Sequence, residues 1–170
     1  MKYRTLSKLT SKLSKIDKIK ICKLKNSHWQ YGLKSQLKWF KKNVKSKDIN
    51  NLLYSGSKLI GYTLLRFRKC FINKKINKYL YFDTLIIDKN YRKKKISSII
   101  MDLNNDCIKK SKLFSFLICK KNLIYFYKKK DWKVLKNKNI TVSDHSFSTN
   151  GMIYNYKSNV NVKFNFYLHK

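Results

Sequence analysis

Residues 79–101 of the chain read Y-L-Y-F-D-T-L-I-I-D-K-N-Y-R-K-K-K-I-S-S-I-I-M. The pattern predicts an apolar strand that passes through a short basic turn into an amphipathic helix. The first N–H groups of a helix have no partner within the helix and lie at the positive end of its dipole, so this junction can bind a phosphate. Strand, turn and helix also succeed one another in most α/β domains, and lysine runs are usually solvated. The segment alone leaves both interpretations open.

Further strands and helices are predicted on both sides of this segment. Residues 51–54 and 59–67 are mostly apolar and flank a Ser55-Gly56-Ser57 turn, which predicts a hairpin. Residues 114–119 predict a strand after the helix, and a second helix begins at residues 122–127 and ends near Asp131 and Trp132.

Two short motifs lie within this order of elements. The turn reads R-K-K-K-I-S from Arg92, and residues 125–132 read Y-F-Y-K-K-K-D-W. Over residues 50–134 the order and both motifs resemble the GNAT superfamily of N-acetyltransferases. That family holds the pyrophosphate of acetyl-CoA in a turn of form R/Q-x-x-G-x-G/A and carries a later motif f-Y-x-k-x-G-F. Arg92 fits the first motif, whereas Lys95, Ser97 and Asp131 stand where the family has small residues, usually glycine, and Trp132 replaces Phe.

The resemblance implies an α/β (α+β) fold with a central mixed, mostly antiparallel sheet flanked by helices. The length of 170 residues and the 43% hydrophobic content predict one N-acetyltransferase-like domain over residues 1–170. Outside the core motifs, we expect a first strand at residues 2–6 and helices at residues 14–28 and from Ser35. The first of these helices should bury Ile16, Ile19 and Leu24. Residues 152–156 and 160–168 alternate apolar and polar residues, as strands with one solvated face do.

The resemblance also implies acetyl-CoA as the acyl donor and no metal. In the family, the strand before the phosphate turn pairs with the pantetheine arm through its backbone. The cofactor-binding residues implied are Leu85, Ile86 and Ile87 on the strand, Arg92, Lys93, Lys94, Lys95, Ile96, Ser97 and Ser98 in the turn, and Asn122 after the next strand.

The lost glycines pose a conformational question at the phosphate turn. Lys95 is tolerated if its backbone is in an ordinary helical or bridge conformation, whereas a positive φ there would weaken or abolish phosphate binding. The composition offers a second explanation, because the chain has no Ala, no Pro and only 4 Gly. This bias suggests an A/T-rich coding genome in which such replacements are drift.

Two residues are candidates for proton transfer. Asp83 shares a strand face with Tyr81, Leu85 and Ile87 and is our candidate general base, since some family members place a carboxylate near this point. Tyr127 matches the family's general acid. Each has a structural alternative: Asp83 can accept a hydrogen bond from a Lys or Tyr, and Tyr127 can be a core residue.

The acceptor amine should bind between the first two helices, where the family often places its acceptor site. The candidates there are His28, Trp29 and Tyr31, although aromatic residues at helical spacing are more often core. Amino sugars, sugar-nucleotide amines, polyamines and protein N-termini all stay open as acceptors. A sequence of triad residue types, Asp144-His145-Ser146, does not by itself build a triad.

The formal net charge of +33 suggests a second class of function, a basic nucleic-acid-binding protein. The lysines are spread over the whole chain and greatly outnumber arginine, so the charge is weak evidence and we expect no specific nucleic acid. A catalytically degenerate acyl-CoA binder is the third interpretation.

The remaining composition points to a cytoplasmic protein. Four cysteines lack C-x-x-C spacing, which favours reduced structural thiols over disulfides or zinc. No apolar run is long enough for a membrane helix, and Met1 leads into no signal region. The assembly state is open, with a homodimer among the alternatives.

Overall fold

The structure, a computed structural model, describes residues 3–92, 95–143, 150–158 and 162–168. The helices within these ranges are α1 (Lys15–Asn26), α2 (Leu33–Asn43), α3 (Ile96–Lys110) and α4 (Ile124–Lys128). The strands are β1 (Tyr3–Leu9), β2 (Ile49–Ser55), β3 (Lys58–Ile72), β4 (Lys75–Ile87), β5 (Ser115–Cys119), β6 (Lys133–Val134), β7 (Ile140–Ser143), β8 (Asn150–Tyr154) and β9 (Phe164–Tyr167).

The strands pair in the order β1-β2-β3-β4-β5-β8-β6, with β9 also beside β3 and β7 beside β9. β4 runs parallel to β5 and β7 runs parallel to β9, whereas β1/β2, β2/β3, β3/β9, β5/β8 and β6/β8 are antiparallel. This confirms the predicted mixed, mostly antiparallel sheet with flanking helices.

The chain separates into two compact units. The first unit comprises Met1–Arg66 and Thr84–Cys107, and the second comprises Phe67–Asp83 and Ile108–Lys170. The organisation as one domain over residues 1–170 therefore stays a prediction.

The first unit has apolar clusters on both faces of its strands. Alternate residues such as Leu52, Leu64 and Ile86 pack with α1 and α2 in one cluster. The residues between them, such as Leu53, pack with Ile96 and Ile100 of α3 in the other. Side chains that alternate along a strand point to opposite faces, so the strand pattern fixes a helix layer on each side.

α1 begins where the sequence predicts because Ser14 caps it. The Ser14 hydroxyl accepts a bond from the Asp17 N–H at 3.0 Å, and the Asp17 carboxylate accepts one from the Ser14 N–H at 3.1 Å. The predicted inner stripe is wrong at Ile16, which is 65% exposed. It lies in the first turn, and the helix buries Ile21 and Leu24 of later turns instead.

The second unit has a core rich in aromatic side chains. Phe116 and Phe166 stack with centroids 3.7 Å apart, and Tyr79 contacts both rings at 6.4 Å and 5.1 Å. β8 is buried from Gly151 to Tyr154, so the prediction of one solvated face is wrong there, because β8 lies between β5 and β6. β9 keeps the predicted alternation. Sequence analysis missed the short strands β6 and β7, and the predicted first and last strands extend onto residues 2, 160 and 161, which lie outside the described residues.

Three of the four cysteines are buried, and all four are free. Burial raises the pKa of Cys22 to about 11 and that of Cys70 to about 12. These thiols therefore stay protonated near neutral pH, as structural thiols do. None of the helices in the described ranges is long and apolar enough to span a membrane.

Candidate functional site

The side chains at the end of β4 pack against both apolar clusters of the first unit. Ile86 is buried in the cluster with α1 and α2, and Leu85 and Ile87 pack against the cluster with α3. Because these side chains serve packing on both faces, a ligand along this segment would have to use the backbone N–H and C=O groups.

The turn after β4 is held by Asp88, which sequence analysis did not single out. Its carboxylate accepts the Asn90 N–H at 2.9 Å and forms an ion pair with Lys58 at 2.9 Å. Burial alone would raise the pKa of Asp88, but the bonds from Lys58 and Asn90 outweigh it and lower the pKa below its usual 3.8. The signal was present in the sequence, since an Asp two residues before Asn90 is typical of an Asx turn.

The Arg92 side chain, in the turn after β4, contacts both the end of β4 and the residues that follow α1. Its Nε donates to the Ile87 carbonyl at 3.2 Å, and its Nη2 lies 3.2 Å from Nδ1 of His28 at the end of α1. A guanidinium only donates, so His28 accepts at Nδ1 and carries its proton on Nε2 in this arrangement. The predicted cofactor residue Arg92 and the predicted acceptor residue His28 are thus in contact.

Lys95 has a left-handed backbone with φ 56° and directly precedes α3. The condition for an unstrained lysine here, an ordinary helical or bridge conformation, is not met. In this turn the Arg92 N–H donates to the Lys89 carbonyl at 3.4 Å and the Ser98 N–H donates to the Lys95 carbonyl at 3.0 Å. Lys93 and Lys94 lie outside the described residues.

The predicted acceptor residues are in different environments. The rings of His28 and Trp29 are 4.7 Å apart edge to face, and Trp29 packs partly against the core of α1 and α2. Its carbonyl accepts from the buried Gln36 amide at 2.9 Å. Tyr31 is 73% exposed. Trp29 therefore serves the core at least in part, whereas His28 and Tyr31 are accessible.

In the second unit, the end of α4 fixes Tyr127. The Tyr127 carbonyl accepts the Trp132 N–H at 3.2 Å, and the Lys128 carbonyl accepts the Asp131 N–H at 3.1 Å. Asp131 has φ 63°. These bonds form a Schellman motif in which Asp131 takes the left-handed position that glycine usually fills, and the Trp132 and Tyr127 rings pack at 6.1 Å. Asp131 and Trp132 thus form the turn that ends α4.

The Tyr127 side chain is 7% exposed. Its ring meets Phe82 edge to face at 6.2 Å. Burial, together with the nearby Cys119 thiol, raises the pKa of the Tyr127 phenol well above its usual 10.0. Tyr127 is therefore a core residue, and its phenol keeps its proton throughout the neutral range.

The other predicted residues of the second unit lie on β4 and before α4. Asp83 is half-buried, next to the buried Phe82 and Thr84, so it lies on the Tyr81 side of the strand as predicted. Asn122 is exposed in a 3₁₀ turn, Lys121–Leu123. The Asp144-His145-Ser146 sequence lies outside the described residues. No group of three His, Cys, Asp or Glu within the described ranges could hold a metal ion.

Comparison with solved structures identifies the fold. Escherichia coli ElaA superposes with a TM-score of 0.67 at 11% identity over 89% of this chain and 99% of its own. An acyl-CoA N-acyltransferase from Pseudomonas aeruginosa gives 0.65 at 9% identity over 89% and 99%. The PaiA N-acetyltransferase of Thermoplasma acidophilum in complex with coenzyme A gives 0.58 at 18% identity over 92% and 100%. The chain therefore has the fold of the GNAT acetyltransferases. No protein-family model and no curated protein sequence matches it.

Proposed function

We propose that this protein is an N-acetyltransferase that moves an acetyl group from acetyl-CoA to an amine. The fold supports acyl transfer over the basic nucleic-acid-binding alternative. Cytoplasmic location and a homodimer stay predictions.

The observation that carries the proposal is the left-handed Lys95 between β4 and α3. A positive φ costs a lysine about 1 kcal/mol or more, and such strain tends to persist where function fixes the backbone. The position is the one where the GNAT motif has a glycine. We infer that the turn kept the geometry of a phosphate loop after losing its glycine. Whether the strain at Lys95 weakens phosphate binding stays a prediction.

The residues present fit the diphosphate of coenzyme A. A helix of 15 residues begins at Ile96, so its first N–H groups and dipole favour an anion. Since the N–H groups of Arg92 and Ser98 have partners within the chain, we assign the phosphate contacts to the amides of Lys95, Ile96 and Ser97. The Arg92 guanidinium and the side chains of Lys93 and Lys94 would add positive charge, and Asn122 would contribute a polar contact.

The pantetheine arm would pair with the backbone of Leu85 and Ile86. The Ile87 carbonyl already accepts from Arg92, so this bond marks the end of the strand that a ligand can use. An N–H in this segment can polarise the thioester carbonyl, which lowers the cost of the negative charge that develops on its oxygen.

Acceptance of the amine proton is assigned to Asp83, and stabilisation of the departing thiolate is assigned to Tyr127. The amine nitrogen attacks the thioester carbon, the C–S bond breaks, and the amine proton passes to Asp83 directly or through water. The departing thiolate would receive a hydrogen bond from the Tyr127 phenol. A thiol has a pKa of about 8.5, well below that of this buried phenol, so Tyr127 stabilises the thiolate mainly by donating a hydrogen bond.

The acceptor is assigned to the surface near the end of α1. His28 and Tyr31 would contact it, with the edge of Trp29. Because Nδ1 of His28 contacts Arg92, its Nε2–H is the donor that can face the amine substrate. The part of the substrate that meets Nε2–H would therefore carry a hydrogen-bond acceptor such as a hydroxyl or carbonyl oxygen.

A thermal-shift titration with acetyl-CoA and CoA at moderate salt tests the proposal. Dose-dependent stabilisation at micromolar ligand is expected, since a ligand that binds the folded state raises its stability by mass action. Inorganic pyrophosphate, which has the charge of the diphosphate but no base, is the control for anion binding alone. A panel of amines with a thiol-detecting readout then separates an enzyme from a degenerate acyl-CoA binder. No stabilisation by acetyl-CoA at millimolar concentration would refute the proposal.

A further inference from the structure

A second site candidate lies in the second unit, on the outer face of β7, β9 and β3. Thr141 is in register with Asn165, and Asn165 is in register with Phe71. Residues directly opposite each other point to the same side of a sheet, and Tyr167 shares that side because it lies two residues after Asn165. The face therefore presents two aromatic rings, an amide and a hydroxyl.

The opposite side of the same strands faces the core. Cys70, Phe166 and Val142 are buried in the aromatic cluster of this unit. Phe71 and Tyr167 by contrast are only half-buried and contact each other edge to face, with centroids 5.9 Å apart. Phe71 and Tyr167 line an open cavity of about 670 Å³ together with Thr141 and Asn165.

Two lysines border this cavity. Lys74 and Lys163 are both exposed and both line it. Two hydrogen bonds hold together the two chain segments that carry these lysines. The Asn73 N–H donates to the Lys163 carbonyl at 3.2 Å, and the Lys163 N–H donates to the Asn73 carboxamide oxygen at 3.3 Å. No acidic side chain is among the described residues that line the cavity.

We propose that this face binds a nucleotide unit, with the base against Phe71 and Tyr167 and the phosphate at Lys74 and Lys163. Aromatic side chains that are displayed on a sheet and bordered by cations are a general solution for binding a flat base next to an anionic backbone. A purely apolar ligand would leave the lysines and Asn165 without a role, and a bare phosphate would leave the rings without one.

The binding should be indifferent to base identity. Among the described residues that line it, the cavity has the amides of Asn73 and Asn165 but no arginine, the residue that most often reads a base edge through a bidentate contact. Stacking accepts every base, because each has an aromatic face. The site shares no residue with the proposed acetyl transfer site, so it is a separate function of the same chain.

Fluorescence anisotropy with a short fluorescein-labelled oligodeoxythymidine, at physiological salt, tests the aromatic half of the site. The double variant Phe71→Leu/Tyr167→Leu keeps apolar bulk and removes both aromatic faces, and its Kd for the oligomer should be about tenfold higher. Tyr125→Leu is the matched control, since Tyr125 is 69% exposed and lies on α4. Equal affinity of the double variant and the control would overturn the proposal.

The charged half needs its own control in a chain of net charge +33. Lys74→Gln/Lys163→Gln should weaken binding several-fold more than Lys110→Gln/Lys120→Gln, which removes two exposed lysines elsewhere in the same unit. An equal loss in both variants would mean unspecific attraction and would overturn the proposal. An oligomer of abasic sites should bind at least several-fold more weakly than the oligodeoxythymidine, and equal binding would again overturn it.

The nucleotide unit could be a free mononucleotide or part of a single strand, and binding of mononucleotides distinguishes the two. Saturable binding of uridine or adenosine monophosphate that is lost in Tyr167→Leu assigns a free nucleotide; binding of only the oligomer assigns a single strand. Binding of neither overturns the proposal. If Phe71→Leu/Tyr167→Leu does not fold, ultraviolet cross-linking of the parent to the oligomer decides, because the cross-linked peptide must contain Phe71 or Tyr167. Stabilisation by acetyl-CoA should be unchanged in every folded variant.

Discussion

Nη2 of Arg92 lies 3.2 Å from Nδ1 of His28, and this contact ties the turn after β4 to the end of α1. The same guanidinium donates to the Ile87 carbonyl through Nε. Arg92 therefore connects the strand proposed to hold pantetheine with the surface proposed to hold the acceptor. The contacts with His28 and Ile87 hold its side chain in this orientation.

The contact predicts that Arg92 and His28 are coupled in cofactor binding. Arg92→Gln should weaken CoA about tenfold, since it removes the charge beside the phosphate turn. His28→Ala should weaken CoA only a few-fold, through the lost orientation of Arg92. In the double variant the losses should fall short of additive by about 0.5 kcal/mol or more, as measured by isothermal titration calorimetry.

Two further variants serve as controls for this double-mutant cycle of Arg92 and His28. His28→Asn can still accept from Arg92 and should retain more CoA affinity than His28→Ala. Tyr31→Ala removes a neighbouring exposed side chain and should leave CoA affinity unchanged. Strictly additive losses in the cycle would mean that the contact does not orient Arg92 for the cofactor.

Lys95 gives a prediction about strain. Lys95→Gly should raise the free energy of unfolding by about 1 kcal/mol, because glycine adopts a positive φ without a steric penalty. CoA affinity should change no more than a few-fold, since the amide directions are kept. Lys95→Val should lower both stability and CoA affinity, because a β-branched residue resists this conformation. Chemical denaturation and calorimetric titration measure the two effects.

Lys112 provides the matched control for Lys95. It too has a positive φ, of 58°, and lies in the turn after α3. Lys112→Gly should stabilise the protein to a similar extent, and neither Lys112→Gly nor Lys112→Val should alter CoA affinity. If Lys95→Val binds CoA as tightly as the parent, the left-handed turn is not the phosphate site.

The fold class was predictable because the order of the predicted strands and helices, together with two short motifs, resembles the GNAT superfamily. Burial alternates along the end of β4, and apolar residues recur at helical spacing along α3. Ser14 marks the start of α1 because its side chain caps the helix. β6 and β7 escaped prediction because they are too short to show a period, and they exist through pairing with β8 and β9, which are distant in sequence. Such pairing is a tertiary effect that local propensity does not record.

The site was predictable in outline but not in its conformations. Arg92 was identified from the motif, yet its contact with His28 joins residues 64 positions apart. Lys95 and Asp131 stand where the resembled motifs have glycine, and both have a positive φ. The identity of these residues does not predict that conformation, because lysine and aspartate usually adopt a negative φ.

Tyr127 gives a prediction for the chemical step. Tyr127→Phe keeps the ring contacts with Phe82 and Trp132 and removes only the hydroxyl, so kcat should fall about 100-fold with little change in acetyl-CoA affinity. Tyr125→Phe is the control, because the Tyr125 ring is exposed. A kcat for Tyr127→Phe within a few-fold of the parent would leave Tyr127 a core residue without a catalytic role.

The raised pKa of Tyr127 also predicts that the protein loses stability at alkaline pH. The folded phenol holds its proton above pH 10.0, where the unfolded one loses it, so its contribution to stability is complete below that pH and declines above it. Tyr127→Phe should therefore lose less stability than the parent as pH rises beyond 10, as followed by denaturation with urea. Parallel curves for the two proteins would contradict the burial of this phenol.

Asp83 should act through pH in a different way. If it accepts the amine proton, Asp83→Asn should reduce the rate most at neutral pH, and the rate should recover as rising pH deprotonates the amine without help. Asp102→Asn, an exposed aspartate on α3, controls for the lost charge. A constant ratio between the rates of Asp83→Asn and the parent across the pH range would assign Asp83 a structural role.

Asp88 predicts how the turn after β4 responds to acid. Because its pKa is lowered in the folded state, its contribution to stability is present above the unfolded value of 3.8 and is lost as pH falls through the folded value. Asp88→Asn keeps an oxygen for the Asn90 N–H but loses the ion pair with Lys58, so it should be less stable than the parent at pH 6, and the difference should shrink below pH 4. Asp106→Asn, also an exposed aspartate on α3, removes the same charge from the chain and should show no such convergence. Urea denaturation at each pH measures both variants, and a difference that does not shrink between pH 6 and pH 3 would mean that Asp88 acts through something other than its charge.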